Sequence, residues 1–178
     1  MVDAFDGALD DDDPHGPVKR WTAERLDRGR RDVLASFEPT VSAGGILFCH
    51  GSPRSDMEIV TMLSAEERVA PMLAGVEEDT VVIGHTHRQF DRRIGDRRLL
   101  NAGSIGSPYE GDAAARWLLL DGAKPALRRT AYDVEAAVGT LRGTGFPDFD
   151  EAYKESLLEP ADPDWIAEFF EQQALGHG

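Results

Sequence analysis

The chain has 178 residues but a single cysteine, Cys49, which leaves no partner within the chain for a disulfide. Secreted domains stapled by disulfides need paired cysteines, so the sequence favours a reducing compartment, and we expect a cytoplasmic protein. Long apolar runs are also lacking. Runs such as Ile46–Cys49 and Trp117–Leu120 are four residues long, against the roughly 20 that span a bilayer. The first residues show no basic and then apolar leader, so neither export nor membrane insertion is expected.

Positive charge is scarce as well. The chain has 19 Lys and Arg against 33 Asp and Glu, a formal net charge of −14. Such a field repels phosphate backbones and anionic lipids, which disfavours nucleic-acid binding and membrane-surface roles. Hydrophobic residues make up 41% of the chain, enough to bury a core. One largely globular domain is expected, and the composition leaves both a monomer and a homo-oligomer open.

Three stretches of the chain differ in pattern. Residues 1–16 contain the acidic run Asp10–Asp13, which repels itself and predicts a solvated arm or loop. Residues 17–146 alternate helical periodicity with short apolar runs, which predicts the body of the domain. Residues 147–178 predict two further helices, of which the last is amphipathic and is expected to dock on that body.

Two apolar runs predict buried strands that each lead into a histidine. Ile46–Cys49 is followed by His50, and Thr80–Ile83 is followed, after one glycine, by His85 and then His87. Continuous apolar runs fit strands that are covered on both faces, and sites in open α/β sheets collect at the carboxyl edge of the strands. We therefore expect the three imidazoles at one sheet edge, where such a group suits metal ligation.

A lone histidine after a strand is more often a structural residue than a ligand, so the hypothesis depends on an ordered set of motifs. That set is His50-Gly51, then Gly84–His87, then Asn101–Gly106, each after an apolar strand. It resembles the C-terminal half of the calcineurin-like metallophosphoesterases, particularly the small bacterial type. The resemblance runs from about Val18 to the last helix. It implies an α/β fold, a β-sandwich of two mixed sheets flanked by helices, here lacking its N-terminal strands, with residues 17–146 as the C-terminal part of the domain.

The resemblance also implies the function and the ligands. The chain would be a metallophosphoesterase, a hydrolase that cleaves a phosphomonoester or phosphodiester with a metal-activated water at a dinuclear centre. His50 and His85 would bind one metal and His87 the other. Two cations about 4 Å apart clamp the phosphoryl oxygens and acidify a bridging water. Histidine with carboxylate accepts manganese, iron, nickel and zinc, so the two divalent ions are not identified by the sequence.

The carboxylate and asparagine ligands of that family have no clear counterpart in this chain. Asp13 and His15 match the family's first motif, Asp-x-His, in residue type. They follow an acidic run instead of a buried strand, however, and we expect neither to bind the metals. Asn101 is the only asparagine. A truncated version of a complete enzyme, which the sequence favours, and a natural remnant that no longer catalyses would both explain this. In the first case we expect an open apolar sheet edge and poor folding of the chain alone.

One further residue is a candidate for substrate binding. Arg54 follows His50 closely, and a guanidinium beside a metal site can hold a phosphate in a fork, although an exposed surface arginine is an equally good explanation. Cys49 is expected to be a small core residue, and no side chain is assigned a catalytic role apart from the metal ligands.

Two other functions remain open. A non-catalytic protein-binding scaffold, which this superfamily includes as a trafficking-complex subunit, is favoured by the lack of carboxylate ligands. A single-metal site of three histidines in an unrelated hydrolase requires the resemblance to be accidental. The intact set of three histidines favours the metal-dependent phosphoesterase, acting on a small-molecule or other phosphoester that the sequence does not identify.

Overall fold

A computed structural model describes residues 2–9, 12–13, 15–122 and 124–176. The chain forms two compact units, one from Met1–Glu38 with Glu135–Ala152 and the other from Pro39–Val134 with Tyr153–Gly178. Asp10, Asp11 and Pro14 of the predicted acidic arm lie outside the described residues. None of the helices in the described part has the length and apolarity needed to cross a bilayer.

The first unit is helical. Its helices are α1 (Val2–Phe5), α2 (Gly16–Ala23), α3 (Arg28–Ala35), α5 (Val134–Gly143) and α6 (Phe149–Ala152). Apolar residues at helical spacing predict two helices before Pro39 and one from Val134, and α2, α3 and α5 confirm them. Asp27 caps the N-terminus of helix α3, because its carboxylate accepts the Arg30 N–H at 2.8 Å and so satisfies one of the free donors of the first turn. Trp21 of α2 packs edge-on against Phe146.

A five-stranded sheet forms the centre of the second unit. Its strands are β1 (Thr40–Ala43), β2 (Ile46–Cys49), β3 (Thr80–Ile83), β4 (Phe90–Ile94) and β5 (Arg97–Asn101), in the order β1-β2-β3-β5-β4. Strands β2, β3 and β5 are parallel, whereas β1 and β4 pair antiparallel at the edges. A separate antiparallel pair consists of β6 (Ala115–Asp121) and β7 (Lys124–Thr130). The mixed α/β fold expected from the sequence is confirmed, and β1 is a strand that the sequence pattern did not predict.

The helical segments of the second unit depart in detail from their sequence signals. They are α4 (Glu66–Val69) with a 3₁₀ turn (Ala70–Leu73), a π-helical turn (Lys154–Leu158) and α7 (Pro163–Ala174). The spacing of Ser64 and Glu67 is that of a helix-capping box, which predicts Ser64 as the N-cap of α4. The prediction is wrong, because Ala65 stands at the N-cap. The Ser64 hydroxyl accepts the Thr61 N–H at 2.8 Å instead. The α-helical turn gives way to the 3₁₀ turn at Pro71, which has no N–H to continue it.

The central strands are buried on both faces, as their unbroken apolar sequence predicts. Val81 and Leu99 belong to a core that also contains Val69 and Leu73 from the helical turns after β2. Neighbouring residues point to the opposite face, where Ile46, Val82 and Leu100 pack with Leu118 of β6. Because β2, β3 and β5 are parallel, their carboxyl ends lie at one edge of the sheet, and the predicted site residues follow these ends.

The carboxylate of Glu171 connects α7 to the loop before α4. It accepts hydrogen bonds of 2.7 Å each from the Thr61 hydroxyl, the Ser64 hydroxyl and the Arg68 guanidinium. Burial would raise the pKa of Glu171, but these three donors favour the ionised form and hold the pKa below the ordinary glutamate value of 4.5. The ionised carboxylate therefore stabilises the folded state.

Replacing Glu171 by glutamine is expected to lower the free energy of unfolding by about 2 kcal/mol at neutral pH, because hydrogen bonds to a charged acceptor are lost. A carboxyl with a lowered pKa contributes stability that is present above its unfolded pKa and lost as the pH falls through the folded value. The difference between the two proteins should therefore shrink in urea titrations below pH 4.5. Glu168→Gln, an exposed glutamate of the same helix, is the matched control. Equal losses in both variants, or a gap independent of pH, would contradict the assignment.

Candidate metal centre

His50 and His85 meet at the carboxyl edge of the sheet. His50 follows β2 and His85 follows β3, and the parallel pairing of these strands brings the two rings to a centroid distance of 5.0 Å. The Nε2 atom of His50 lies 3.2 Å from the Nδ1 atom of His85. The prediction that these two histidines lie at one sheet edge is thus confirmed by the structure.

The turn that carries His85 and His87 is strained. Both residues have left-handed backbone torsions, with φ of 67° at His85 and 56° at His87. Such a conformation is uncommon for residues other than glycine and costs on the order of 1–3 kcal/mol unless the surroundings impose it. Two short hydrogen bonds define the turn, one of 2.8 Å from the Gly84 N–H to the His50 carbonyl and one of 2.8 Å from the Thr86 N–H to the Gly84 carbonyl.

Asn101, at the end of β5, holds this turn in place. Its fully buried side chain donates to the Gly84 carbonyl at 2.6 Å and to the Thr86 hydroxyl at 3.0 Å. The Asn101 carbonyl oxygen accepts the Gly103 N–H at 2.8 Å. Gly103 has a φ of 79°, and a Cβ there would lie 2.6 Å from a side-chain atom of Arg116. The Asn101–Gly106 motif therefore supports the site instead of entering it.

A backbone carbonyl orients His87. Its Nδ1 atom lies 2.9 Å from the Ser107 carbonyl oxygen. A carbonyl only accepts, so Nδ1 carries the proton and donates, which leaves the Nε2 lone pair of the neutral ring free. Histidines that bind metals are commonly held in this way by a hydrogen bond at the second ring nitrogen.

The surroundings favour the neutral, ligand-competent form of two of the imidazoles. Burial, followed by repulsion from His50 and His87, lowers the pKa of His85, while the Asp56 carboxylate opposes the shift. Burial also lowers the pKa of His87, against the hydrogen bond to Ser107 and with a smaller contribution from His50. Neutral imidazole is the form that binds a cation.

The donor atoms fit the imidazole part of a metal centre. Two nitrogens bound to one cation at about 2.1 Å, with angles between 90° and tetrahedral, lie roughly 3.0–3.4 Å apart. The His50 and His85 nitrogens are 3.2 Å apart, so both suit one ion, and the free Nε2 of His87 suits another. In the part of the chain that the structure describes, no three His, Cys, Asp or Glu side chains form a group able to hold a metal ion.

The predicted substrate-binding residue has a partner. Arg54 is exposed, and its Nε atom donates to the Glu58 carboxylate at 2.7 Å. Glu58 also accepts a short hydrogen bond from the buried Ser52 hydroxyl. Arg54, and to a smaller extent Ser52, lowers the pKa of Glu58 against the effect of burial. The guanidinium is thus held in the loop that follows His50, and phosphate binding by Arg54 stays a prediction.

Two residues set aside by the sequence argument have other roles. Cys49 packs against the core, and burial raises the pKa of its thiol to about 11, so the thiolate is scarce at neutral pH. Asp13 forms an ion pair with Lys19 at 2.5 Å and accepts the His15 N–H at 2.8 Å. Its carboxylate is therefore engaged locally.

Comparison with models of protein families shows which family the chain belongs to. The family model for the calcineurin-like phosphoesterase superfamily domain matches residues 2–122, more than half of the chain, and the chain therefore belongs to this superfamily of phosphoester hydrolases. The match begins upstream of Val18, where the resemblance by motifs starts. Members of the superfamily generally bind divalent metals. A search of curated proteins found no match.

Two solved structures show the same fold. A metallophosphoesterase from Sphaerobacter thermophilus has a TM-score of 0.66 and 20% identity, over 83% of this chain and 69% of that chain. A hypothetical protein from Pyrococcus horikoshii has a TM-score of 0.68 and 21% identity, over 86% of this chain and 63% of that chain. The present chain thus spans about two thirds of the length of each. At this level of identity, the comparison supports the fold alone.

Three residues to which the sequence pattern gives no role act on the histidines in the structure. Asp56 is the carboxylate whose charge acts on His85. Ser107 orients His87 through its carbonyl, and the Tyr109 ring stacks on the His87 ring at a centroid distance of 5.8 Å. Ser107 acts through its backbone carbonyl, so its residue type could not have indicated this role. Tyr109 could have been found, because it is an aromatic residue shortly after the Asn101–Gly106 motif.

Proposed function

We propose that the protein is a metal-dependent phosphoesterase that hydrolyses a phosphomonoester or phosphodiester, with His50, His85 and His87 as metal ligands. The contact between His50 and His85, made by a strained turn at the carboxyl edge of the sheet, carries this proposal. Membership of the calcineurin-like phosphoesterase superfamily supports it. Backbone strain that the surroundings hold in place is typical of functional sites.

Each imidazole has a defined task in this proposal. His50 through Nε2 and His85 through Nδ1 would hold one divalent cation, and His87 through Nε2 would hold a second, with manganese, iron, nickel or zinc as candidates. When bound, such cations polarise the phosphoryl oxygens and acidify a water molecule. The histidines contribute by fixing neutral nitrogen donors in place, and Asn101 contributes by keeping the turn rigid.

Arg54 is proposed to hold the phosphoryl group of the substrate. Its pairing with Glu58 keeps the guanidinium in the loop after His50, and its exposed position leaves it accessible to an anion. Because the chain has a net charge of −14, a local cation is needed to attract a phosphate ester. The same net charge disfavours nucleic-acid and membrane partners, and the single cysteine supports a cytoplasmic location.

Elemental analysis of the purified chain after dialysis tests the proposal, together with hydrolysis of an aryl phosphodiester with added Mn²⁺. We expect bound divalent metal and turnover that a chelator removes and Mn²⁺ restores, because neutral imidazoles are preorganised as ligands. The absence of both bound metal and metal-dependent turnover would overturn the proposal.

Protein binding without catalysis is the second candidate function. It is supported by Trp165 and Phe169 of α7, which stack at 5.7 Å with 50% and 41% of their surfaces exposed. Exposed aromatic residues of this kind are enriched in interface hot spots. A chain without metal and turnover would favour this role over catalysis.

A further inference from the structure

Tyr109 contacts His87 through both its ring and its backbone. The two rings stack with an angle of 19° between their planes and 5.8 Å between their centroids. The Tyr109 N–H donates to the His87 carbonyl at 3.2 Å. Ser107, two residues before Tyr109, accepts the His87 Nδ1–H through its carbonyl. The segment from Ser107 to Tyr109 thus contacts the ring and the backbone of His87.

Phe170 of α7 packs against Tyr109. Its ring lies 5.8 Å from the Tyr109 ring at an angle of 56°. Helix α7 is itself fixed near the histidine turn, because Arg88, the residue after His87, donates to the Pro163 carbonyl at 2.5 Å and to the Asp164 carboxylate at 2.9 Å. An aromatic series therefore runs from His87 through Tyr109 to a helix that lies beyond residues 2–122, the range of the family match.

This packing decides which ring nitrogen of His87 is available. If the imidazole rotated by half a turn about the Cβ–Cγ bond, Cδ2 would take the place of Nδ1 and Cε1 that of Nε2. The hydrogen bond to Ser107 would then be lost, and neither nitrogen would keep its position. The Ser107 carbonyl selects a protonated nitrogen but a single hydrogen bond does little to stop this rotation. A ring stacked on the imidazole face limits it, because rotation would require the stacked surfaces to separate.

We propose that Tyr109, backed by Phe170, is a positioning residue that keeps His87 in the Nδ1-protonated orientation with Nε2 presented to the site. This inference rests on the proposed role of His87 as a ligand. It makes helix α7 part of the site, although α7 supplies no ligand. Tyr109 acts through His87, and the aromatic ring, not the hydroxyl, is the part that matters.

Nitrogen NMR of the ¹⁵N-histidine-labelled, metal-free chain tests this directly, at a pH above the histidine titration range. In the wild type we expect the His87 signals of one neutral tautomer, with the proton on Nδ1. Tyr109→Leu fills the space without an aromatic face and should give a mixture of both tautomers, and Phe170→Leu should give a smaller admixture. Tyr109→Phe keeps the ring and should retain the wild-type signals. Trp165→Leu, on an exposed position of the same helix, should also leave them unchanged.

Zinc titration by calorimetry provides a second test, which measures the metal affinity of each variant. Loss of an outer partner of a metal-bound histidine typically costs roughly 10–100-fold in affinity, so we expect this loss for Tyr109→Leu and less than about 3-fold for Tyr109→Phe. The tautomer measurement needs no metal. A wild-type chain that binds no zinc would therefore overturn the proposed function, and the NMR signals would still test whether Tyr109 orients His87. A single Nδ1-protonated tautomer in Tyr109→Leu would overturn the inference, as would equal disruption by Tyr109→Phe.

Discussion

Replacing His85 by asparagine is expected to abolish both metal binding and metal-dependent hydrolysis. His85 supplies one of two nitrogens that lie 3.2 Å apart, so its loss leaves His50 without its neighbouring donor. We expect the metal affinity to fall by ~100-fold or more, beyond the 10–100-fold range typical of outer partners. Asparagine is chosen because it tolerates the left-handed φ of 67° at this position, whereas alanine would add backbone strain. Elemental analysis and turnover with Mn²⁺ measure the effect.

Control variants separate ligand loss from misfolding. His50→Ala should reproduce the loss of metal and His87→Asn should reduce it, with unchanged far-ultraviolet circular dichroism in both. His15→Asn removes an imidazole in the other unit, where the His15 backbone N–H donates to the Asp13 carboxylate, and it should leave the metal content unchanged. Equal metal content in the wild type and His85→Asn would refute the ligand assignment. A loss of metal in His15→Asn would show that the Asp13 motif belongs to a metal site.

Asn101→Ala is expected to give the largest loss of stability among single substitutions near the site. The side chain makes three hydrogen bonds in a fully buried position, to Gly84, Thr86 and Gly103. Leaving buried polar groups without partners costs roughly 1–3 kcal/mol each, and partial relaxation makes about 3 kcal/mol a reasonable total. Urea denaturation should show this as a lower midpoint. Metal affinity should fall too, because the strained turn loses the contacts that impose its conformation.

Two further variants assign this loss to the hydrogen bonds. Asn101→Asp keeps the shape and the acceptor for the Gly103 N–H but loses both donations, so it should also be strongly destabilised. Gln173→Ala removes an exposed amide and should change the free energy of unfolding by less than about 0.5 kcal/mol. A loss below about 1 kcal/mol in Asn101→Ala would contradict the role given to this network.

The amino-acid sequence by itself determined the central strands and the edge at which the site lies. Ile46–Cys49 and Thr80–Ile83 are apolar runs, and such strands are stable only when both faces are covered. In the structure they are neighbouring parallel strands with core residues packed on both faces. The hairpin turn at Gly95-Asp96 also follows from local chemistry, since Gly95 has a φ of 56°. The short, largely exposed strand Thr40–Ala43 lacks such a signal, and its pairing with β2 defines it.

Only the tertiary structure decided how the histidines are oriented and what supports them. The left-handed torsions of His85 and His87 cost free energy locally and persist because Asn101, from a different strand, holds the turn between them. Ser64 is not a helix cap because Glu171, 107 residues further along the chain, engages its hydroxyl. The packing of the Tyr109 ring between the rings of His87 and Phe170 likewise joins residues of separate elements. Local sequence patterns do not predict such contacts, since their free energy is gained only after the chain has packed.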